Sequence, residues 1–373
     1  MRPFRGGLRH PRCSTYHRYA CAHVRRIPST ARPPQDHHLF WRGSWRAVLF
    51  PTVSPPASTS ATGVFPSASA FGERLAARVA ERESQIVLGL DPDPMALWPG
   101  IESPAEGSPA ERAAATILDH CRSLIDAAGP ACVAVKPQLA RFEVLGAHGW
   151  SALAATVAHA RAAGLLLIAD AKRGDIDVSA RAYAQALMGA TDTPFGPVPG
   201  LGFDMVTVNP LLGRDAIEPF VSVARAAGAG LLVLVRTSNP GAADLQDLEL
   251  AVGGRVWERI AALVEELGGA DVGESGLSDV GAVVGATFPE HLARARELMP
   301  HAVFLLPGVG AQGGRVEDLA PAFAAGRAGG LITASRSIAG AHLATGGDPA
   351  QAARTEAERL RAVAWELAAT ASA

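Results

Sequence analysis

Only two of the 34 lysine and arginine side chains in this chain of 373 residues are lysines, Lys136 and Lys172. Each lysine ends an apolar run, CVAVK in one case and LLLIADAK in the other. A lysine ammonium can release its proton when its surroundings favour the neutral amine, whereas an arginine guanidinium effectively never does. The two lysines therefore predict a site that transfers a proton or stabilises developing negative charge.

Carboxylates surround Lys172 in the sequence. Asp170 lies two residues before it and Asp175 three residues after it, within the stretch ADAKRGDI. Side chains two apart on a strand share a face, so Asp170 and Lys172 are expected to enter one pocket. Asp175 falls where the strand gives way to a helix, and it either caps that helix or reaches towards a neighbouring subunit. The competing interpretation is structural, with Lys172 as a solvated strand-end charge and Lys136 as a side chain with a buried apolar stem.

A glycine-rich stretch, LLPGVGAQGG, has its glycines at 308, 310 and 313 in GxGxxG spacing. In dinucleotide-binding folds this spacing follows the first strand, and an acidic residue ends the second. Here it follows the seventh apolar run, and the next run ends in Ser335 and Arg336. An arginine binds a phosphoryl group through two parallel hydrogen bonds, and Gln312 can donate beside it. We therefore predict a phosphate site rather than a dinucleotide site.

Eight apolar runs that end in polar residues must position these side chains, and alanine-rich segments of helical spacing lie between them. This alternation indicates a parallel sheet covered by helices, and eight strands favour closure into a (β/α)8 TIM barrel over an open sheet. Chemistry in such barrels lies at the carboxyl ends of the strands. The runs are 86–91, 132–138, 165–172, 205–210, 231–238, 279–287, 302–310 and 330–336, and the helical segments include 110–128, 150–163, 176–189, 249–268 and 315–327.

The first 67 residues differ from the rest in composition. Residues 1–70 carry ten arginines and one acid, Asp36, whereas residues 71–373 carry 24 lysines and arginines against 35 acids. Residues 1–67 are rich in Arg, Pro, Ser and Thr without periodicity, so we expect a disordered extension and a barrel domain over 68–373. The extension is either an organelle transit peptide or the product of an extended translation start, of which we favour the second.

The charge and composition of the body limit its partners. Its net negative charge argues against nucleic acid or a membrane surface. The uncharged run 47–72 holds four prolines, so we expect a linker rather than a membrane span. The four cysteines and eleven histidines lack the spacing of a disulfide framework or a metal site. We expect no metal and no cofactor, and a small metabolite as the ligand.

These features together resemble the orotidine 5′-phosphate decarboxylase family, in particular a bacterial type 2 subgroup whose motif is like ADAKRGDI here. The resemblance covers about residues 70–370. It implies a TIM barrel that decarboxylates orotidine 5′-monophosphate (OMP) to UMP and CO2 in pyrimidine biosynthesis, without a cofactor. It also implies a homodimer and a cytoplasmic location.

Catalytic roles follow from the resemblance. Lys172 resembles the proton donor, Asp170 the carboxylate that flanks it, and Lys136 the residue that completes the charged row. Asp175 and Ser179 resemble a pair that members of the family extend into the partner subunit's site. Position 179 is Ser where Thr is common, a change that keeps the hydroxyl.

Substrate contacts are implied in the same way. Asp91, in LGLDPDP, resembles the residue that holds the ribose hydroxyls, and Ser238, in RTSNPGA, resembles the serine that contacts the pyrimidine. Gln312 and Arg336 resemble the phosphate ligands. Asn209 ends a strand and is a candidate for lining the pocket, with no role assigned.

Other functions stay open at this point. A metal-dependent phosphosugar decarboxylase or synthase on the same barrel shares the Asp-x-Lys-x-x-Asp spacing. A Schiff-base enzyme needs a neutral amine, which flanking carboxylates disfavour. A non-catalytic barrel that binds phosphorylated metabolites has no evident use for Lys172 between two carboxylates, and the basic arm alone would suit a nucleic-acid accessory protein. Candidates for a mobile lid are residues 188–204 and the stretch after Ser238.

Overall fold

The computed structural model describes residues 70–102, 104–269, 272–287, 289–310 and 313–371. Eight parallel strands close into a barrel, which confirms the predicted TIM fold. The predicted extension, residues 1–67, lies outside the described residues. In chain order the barrel strands are β1 (Ile86–Leu90), β2 (Ala134–Pro137), β3 (Leu166–Arg173), β6 (Met205–Val208), β7 (Gly230–Arg236), β8 (Val280–Val284), β9 (Phe304–Leu306) and β10 (Gly330–Ala334), and β10 pairs with β1; β4 (Ala190–Thr191) and β5 (Val198–Pro199) form a separate hairpin.

Helices cover the outside of the barrel. The predicted segments 110–128, 150–163 and 176–189 are helices α2 (Pro109–Ala128), α4 (Gly146–Ala162) and α5 (Asp177–Leu187). The described helices also include α1 (Ala70–Arg82), α3 (Leu139–Glu143), α6 (Arg214–Ala227), α7 (Val256–Gly268), α8 (Pro289–Leu298), α9 (Arg336–Ala339), α10 (Ala341–Thr345) and α11 (Pro349–Ala371).

Two helical segments differ from their predicted form. The helix expected over 249–268 begins only at Val256, because Gly253 and Gly254 have φ angles of 88° and 76°, in the left-handed region. The segment expected over 315–327 is a 3₁₀ helix, Val316–Ala325, rather than an α-helix. Pro321 lies inside it and has no N–H to donate, which disfavours the regular α-helical ladder.

Helix α1 closes the amino end of the barrel. Phe71, Leu75 and Val79 are buried in a cluster with side chains from the barrel interior. The Phe71 ring packs on Gly230 so closely that a Cβ there would lie 2.7 Å from it. The opposite end, where the strands finish, is therefore the end left for chemistry.

The hairpin formed by β4 and β5 corrects one expectation about a lid. It occupies the predicted lid segment 188–204, but it connects the carboxyl end of α5 to the start of β6. Because α5 runs back from the carboxyl ends of the strands, this hairpin lies at the amino end of the barrel. It cannot cover a site at the other end.

Candidate active site

The two lysines meet at one carboxylate. Lys136 at the end of β2 donates from Nζ to Oδ2 of Asp170 at 2.5 Å, and Lys172 donates from Nζ to Oδ1 of the same residue. The side chains of Lys136 and Asp170 are 6% and 9% exposed, whereas that of Lys172 is 46% exposed. The sequence-based expectation that the lysines and Asp170 share one pocket is confirmed. Lys172 is the member of this triad that is open to a ligand.

The charge state of Asp170 follows from two opposing effects. Burial disfavours its ionised form, but the positive charges of Lys136 and Lys172 and their hydrogen bonds outweigh burial and lower the pKa of Asp170 below its ordinary value. The carboxylate is therefore ionised at neutral pH. The triad carries two positive charges and one negative charge.

Strand alternation does not explain why Asp170 and Lys172 converge. Strand β3 pairs with β6 at Ala169 and again at Arg173, with a register shift between them. Lys172 has a φ of 48°, in the left-handed region that a residue with a Cβ rarely adopts. Asp170 and Lys172 do lie together, as expected for side chains two apart, but the cause is an irregularity in the strand rather than regular alternation.

A cavity of about 570 Å³ opens at the carboxyl ends of the strands, within the range typical of small-molecule sites. Strands β9 and β10 contribute to the wall across from β3, so the cavity extends from the triad to the β9 and β10 ends. Six of the predicted site residues line this cavity: Asp91, Lys136, Asp170, Lys172, Ser238 and Arg336.

The glycine-rich loop at the predicted phosphate end forms several hydrogen bonds of its own. The N–H groups of Gly310, Gly313 and Gly314 donate to carbonyls within the same glycine-rich loop, so the loop closes on itself. Arg336 is exposed and lines the cavity beside Gly308. Gln312 lies outside the described residues. Among the cavity-lining residues described at this end, Arg336 carries the positive charge.

A contact from the first loop supports the short helix that carries Arg336. The indole Nε1 of Trp98 donates to the carbonyl of Ala339 at 2.7 Å, at the end of α9. The Trp98 ring also meets His120 edge to face, with centroids 5.3 Å apart. Burial lowers the pKa of His120 to about 4, with a smaller contribution from the charge of His342. His120 is thus a neutral packing residue behind the site at physiological pH.

Three predicted residues lie away from the cavity. Asp175 accepts a hydrogen bond at 2.8 Å from the N–H of Ile176, and Ile176 is the N-cap of α5, so Asp175 does not cap that helix. Ser179 is exposed on α5. Asn209 is not among the cavity-lining residues, and its Oδ1 accepts the N–H of Leu211 at 3.0 Å in a turn. The prediction that Asn209 lines the pocket is therefore not met within this chain.

Sequence reasoning missed two residues that touch the triad. Gln138 donates from Nε2 to Oδ2 of Asp170 at 3.2 Å, and Thr207 lies 3.4 Å from Oδ1 through its hydroxyl. Both line the cavity. Gln138 follows Lys136 by two residues, and Thr207 is the single polar residue in the run MVTV. A polar residue inside an apolar strand was the available signal for Thr207.

The stretch after Ser238 lies over the cavity. Asn239, Ala242 and Leu245 contribute to its lining. Arg236 pairs with Asp247 through two hydrogen bonds, of 2.9 and 2.8 Å, which tie this stretch to the end of β7. Of the two lid candidates, this one has the right position.

The described residues contain no group of three or more His, Cys, Asp or Glu side chains that could hold a metal ion. No helix in those ranges is long and apolar enough to span a bilayer. Cys121 and Cys132 are free and buried, and burial raises the pKa of each thiol to about 12.

Known proteins resemble this chain over most of its length. The family model for orotidine 5′-phosphate decarboxylase / HUMPS matches residues 84–355. An orotidine 5′-phosphate decarboxylase of Rhodopirellula baltica is 41% identical over 272 residues, which cover 73% of this chain and 89% of the relative. One of Deinococcus radiodurans is 41% identical over 269 residues, covering 72% and 88%. The solved structure of Leishmania donovani OMP decarboxylase is 31% identical, with a TM-score of 0.57, and the match covers 79% of this chain and 98% of that one.

Proposed function

The chain belongs to the orotidine 5′-phosphate decarboxylase / HUMPS family, and from this premise we propose that it converts OMP to UMP and CO2 without a cofactor. The observation that carries the proposal is the pairing of both lysines of the chain with Asp170 in the cavity that also contains Arg336. The remote phosphate binds Arg336, and the pyrimidine lies near Ser238 and Lys172.

Loss of CO2 from C6 leaves a carbanion without an adjacent electron sink, so the protein must stabilise that charge. The ammonium of Lys172 does so by electrostatic attraction and then donates its proton to C6. Asp170 holds that ammonium in place and repels the substrate carboxylate. Two unit charges 4 Å apart at an effective dielectric near 20 interact by about 4 kcal/mol, roughly three decades in rate if the repulsion is fully relieved.

A homodimer completes the site in this proposal. Asp175 and Ser179 lie outside the cavity of their own chain, next to exposed apolar residues. Ile176 and Val178 are 52% and 72% exposed, and Leu211 on a neighbouring loop is 78% exposed. Burying them against a second copy would bring Asp175 and Ser179 to the partner's cavity, where Asp175 adds the fourth charge of the row and brings its sum to zero.

The metal-dependent alternative fits the triad less well. A divalent cation at Asp170 would lie beside the ammonium groups of Lys136 and Lys172, which both contact this carboxylate and would repel the cation. A non-catalytic binding barrel has no evident use for Lys172 held between the carboxylates of Asp170 and, in the proposed dimer, of the partner's Asp175.

Purified protein with OMP and excess chelator provides the test. We expect the pyrimidine absorbance to change as UMP and CO2 form in equimolar amounts, at the same rate with and without chelator. Activity that disappears on chelation and returns with a divalent cation would favour the metal-dependent alternative. Nucleotide binding without CO2 release would favour the non-catalytic barrel.

Two further proposals concern the whole chain. We assign the catalytic domain to residues 68–373 and expect a variant lacking residues 1–67 to retain decarboxylation. A collapse of activity on that deletion would give the segment a function. We also propose a cytoplasmic location, which suits the two free buried thiols because reducing compartments keep cysteines unpaired.

A further inference from the structure

An irregularity in β3 sets the position of Lys172. Between the pairs Ala169–Val206 and Arg173–Val208, β3 advances four residues while β6 advances two. The four residue steps from Ala169 to Arg173 therefore cover about 7 Å along the sheet, the length of two regular strand steps. This compression keeps Lys172 close to Asp170 along the strand axis, so the Lys172 ammonium reaches the Asp170 carboxylate.

The compressed segment has two backbone N–H groups that the strand ladder does not satisfy. Both donate to one atom, the hydroxyl oxygen of Thr207 on β6, at 3.0 Å from Ala171 and 2.9 Å from Lys172. Both hydrogen bonds are partly buried, where an N–H without a partner is costly, and the left-handed φ of 48° at Lys172 adds strain. The Thr207 oxygen therefore stabilises this backbone conformation, in which both N–H groups point to the same atom.

The bonding capacity of this hydroxyl is fully used. A threonine oxygen has two lone pairs and one proton, and the two N–H groups take the lone pairs. The proton remains for the carbonyl of Ala169 at 3.3 Å or for Oδ1 of Asp170 at 3.4 Å. Thr207 is 1% exposed although it lines the cavity. It therefore has no lone pair left for a ligand.

We infer that Thr207 is a positioning residue for the decarboxylation, acting through the backbone of Lys172 rather than through contact with the substrate. The inference rests on the proposed function, in which Lys172 delivers the proton. Its physical content is that one side-chain oxygen replaces the ladder acceptors missing at the irregular segment. Loss of that oxygen releases the Lys172 backbone and displaces its ammonium from the reacting carbon.

The scarcity of lysine provides a readout that does not depend on activity. Protein labelled with [15N]lysine gives two backbone amide signals, from Lys136 and Lys172, because the chain has no other lysine. The Lys172 signal reports the N–H that donates to Thr207, and the Lys136 signal is an internal reference. The signal that disappears in the variant Lys172→Arg is assigned to Lys172, and the remaining signal is assigned to Lys136.

The test compares Thr207→Val, which keeps the branched shape and removes the hydroxyl, with Thr207→Ser, which keeps the hydroxyl. In Thr207→Val we expect hydrogen exchange at Lys172 to accelerate at least about tenfold relative to Lys136. We expect kcat for OMP to fall about 10- to 100-fold with KM within about threefold, because a displaced reacting group lowers the rate more than binding. Thr207→Ser should resemble the wild type in both measurements.

Thr156→Val is the matched control. Thr156 is fully buried on α4, its hydroxyl donates to the carbonyl of Ala152 at 2.8 Å, and it lies outside the cavity. This variant should leave kcat and the exchange at Lys172 unchanged.

Unchanged exchange at Lys172 in Thr207→Val would overturn the inference. If Thr207→Val does not fold, Thr207→Ser provides the test. Faster exchange at Lys172 or a large loss of kcat in Thr207→Ser would also overturn the inference. If the wild type does not decarboxylate OMP, the proposed function fails, while the exchange measurement still decides whether Thr207 holds Lys172.

Discussion

Replacing Asp170 by Asn should destabilise the folded protein as well as inactivate it. The carboxylate lies between two ammonium groups, and its Oδ2 is 2.5 Å from Nζ of Lys136, a side chain that is only 6% exposed. Asparagine keeps the shape but removes the charge and offers one acceptor oxygen in place of two. Lys136 then remains buried without a compensating charge.

Leaving one member of a buried ion pair unpaired typically costs about 3–5 kcal/mol. This is a large part of the about 5–15 kcal/mol that stabilises a typical native domain, and it lowers Tm by an amount on the order of 10 °C. Lys136→Met should cost less, because Asp170 keeps Lys172 as a partner. The double variant should cost less than the sum of the single ones by at least about 2 kcal/mol, since both charges of the pair are then removed.

Urea unfolding followed by tryptophan fluorescence measures these free energies, at one fixed protein concentration because the stability of an associating protein depends on its concentration. Asp126→Asn is the control. Asp126 is 64% exposed and pairs with His159, so its loss should cost less than about 1 kcal/mol. A free energy of unfolding within about 1 kcal/mol of the wild type for Asp170→Asn, or strict additivity in the cycle, would refute the account of the triad.

Three other predictions concern single residues. Lys172→Gly and Lys172→Ala should both lack turnover. In urea unfolding the glycine variant should be more stable than the alanine variant by about 1 kcal/mol, because Gly accepts the φ of 48° without strain. Equal stability of the two variants would argue against strain at this position. The pKa of His120 is about 4 in the folded protein and near 6.5 in the unfolded chain, so the unfolded chain takes up a proton first as the pH falls. The free energy of unfolding should therefore fall by up to about 3 kcal/mol between pH 6.5 and pH 4. His120→Gln should remove that part of the pH dependence. Arg336→Ala should raise KM for OMP about 10- to 100-fold and leave kcat/KM for the nucleoside orotidine unchanged, whereas an equal loss for both substrates would place Arg336 outside the phosphate contact.

Several features of the protein were determined by the sequence alone. The alternation of apolar runs with segments of helical spacing predicted the eight barrel strands. This was possible because the spacing of apolar residues along the chain reflects the local backbone geometry. The rule that strands present chemistry at their carboxyl ends led to the six predicted residues that line the cavity. The scarcity of lysine drew attention to Lys136 and Lys172, which meet at Asp170.

Only the tertiary structure decided how those residues are held. The compression of β3 depends on its pairing with β6, which lies more than thirty residues away in sequence, so no local pattern in ADAKRGDI reveals the left-handed Lys172 or the acceptor at Thr207. The contact of Gln138 with Asp170 is likewise set by neighbouring strands, whereas the glycine-rich loop closes through hydrogen bonds among its own residues. Periodicity records which face of an element is buried, whereas register and hydrogen-bond partners arise only when distant segments pack together.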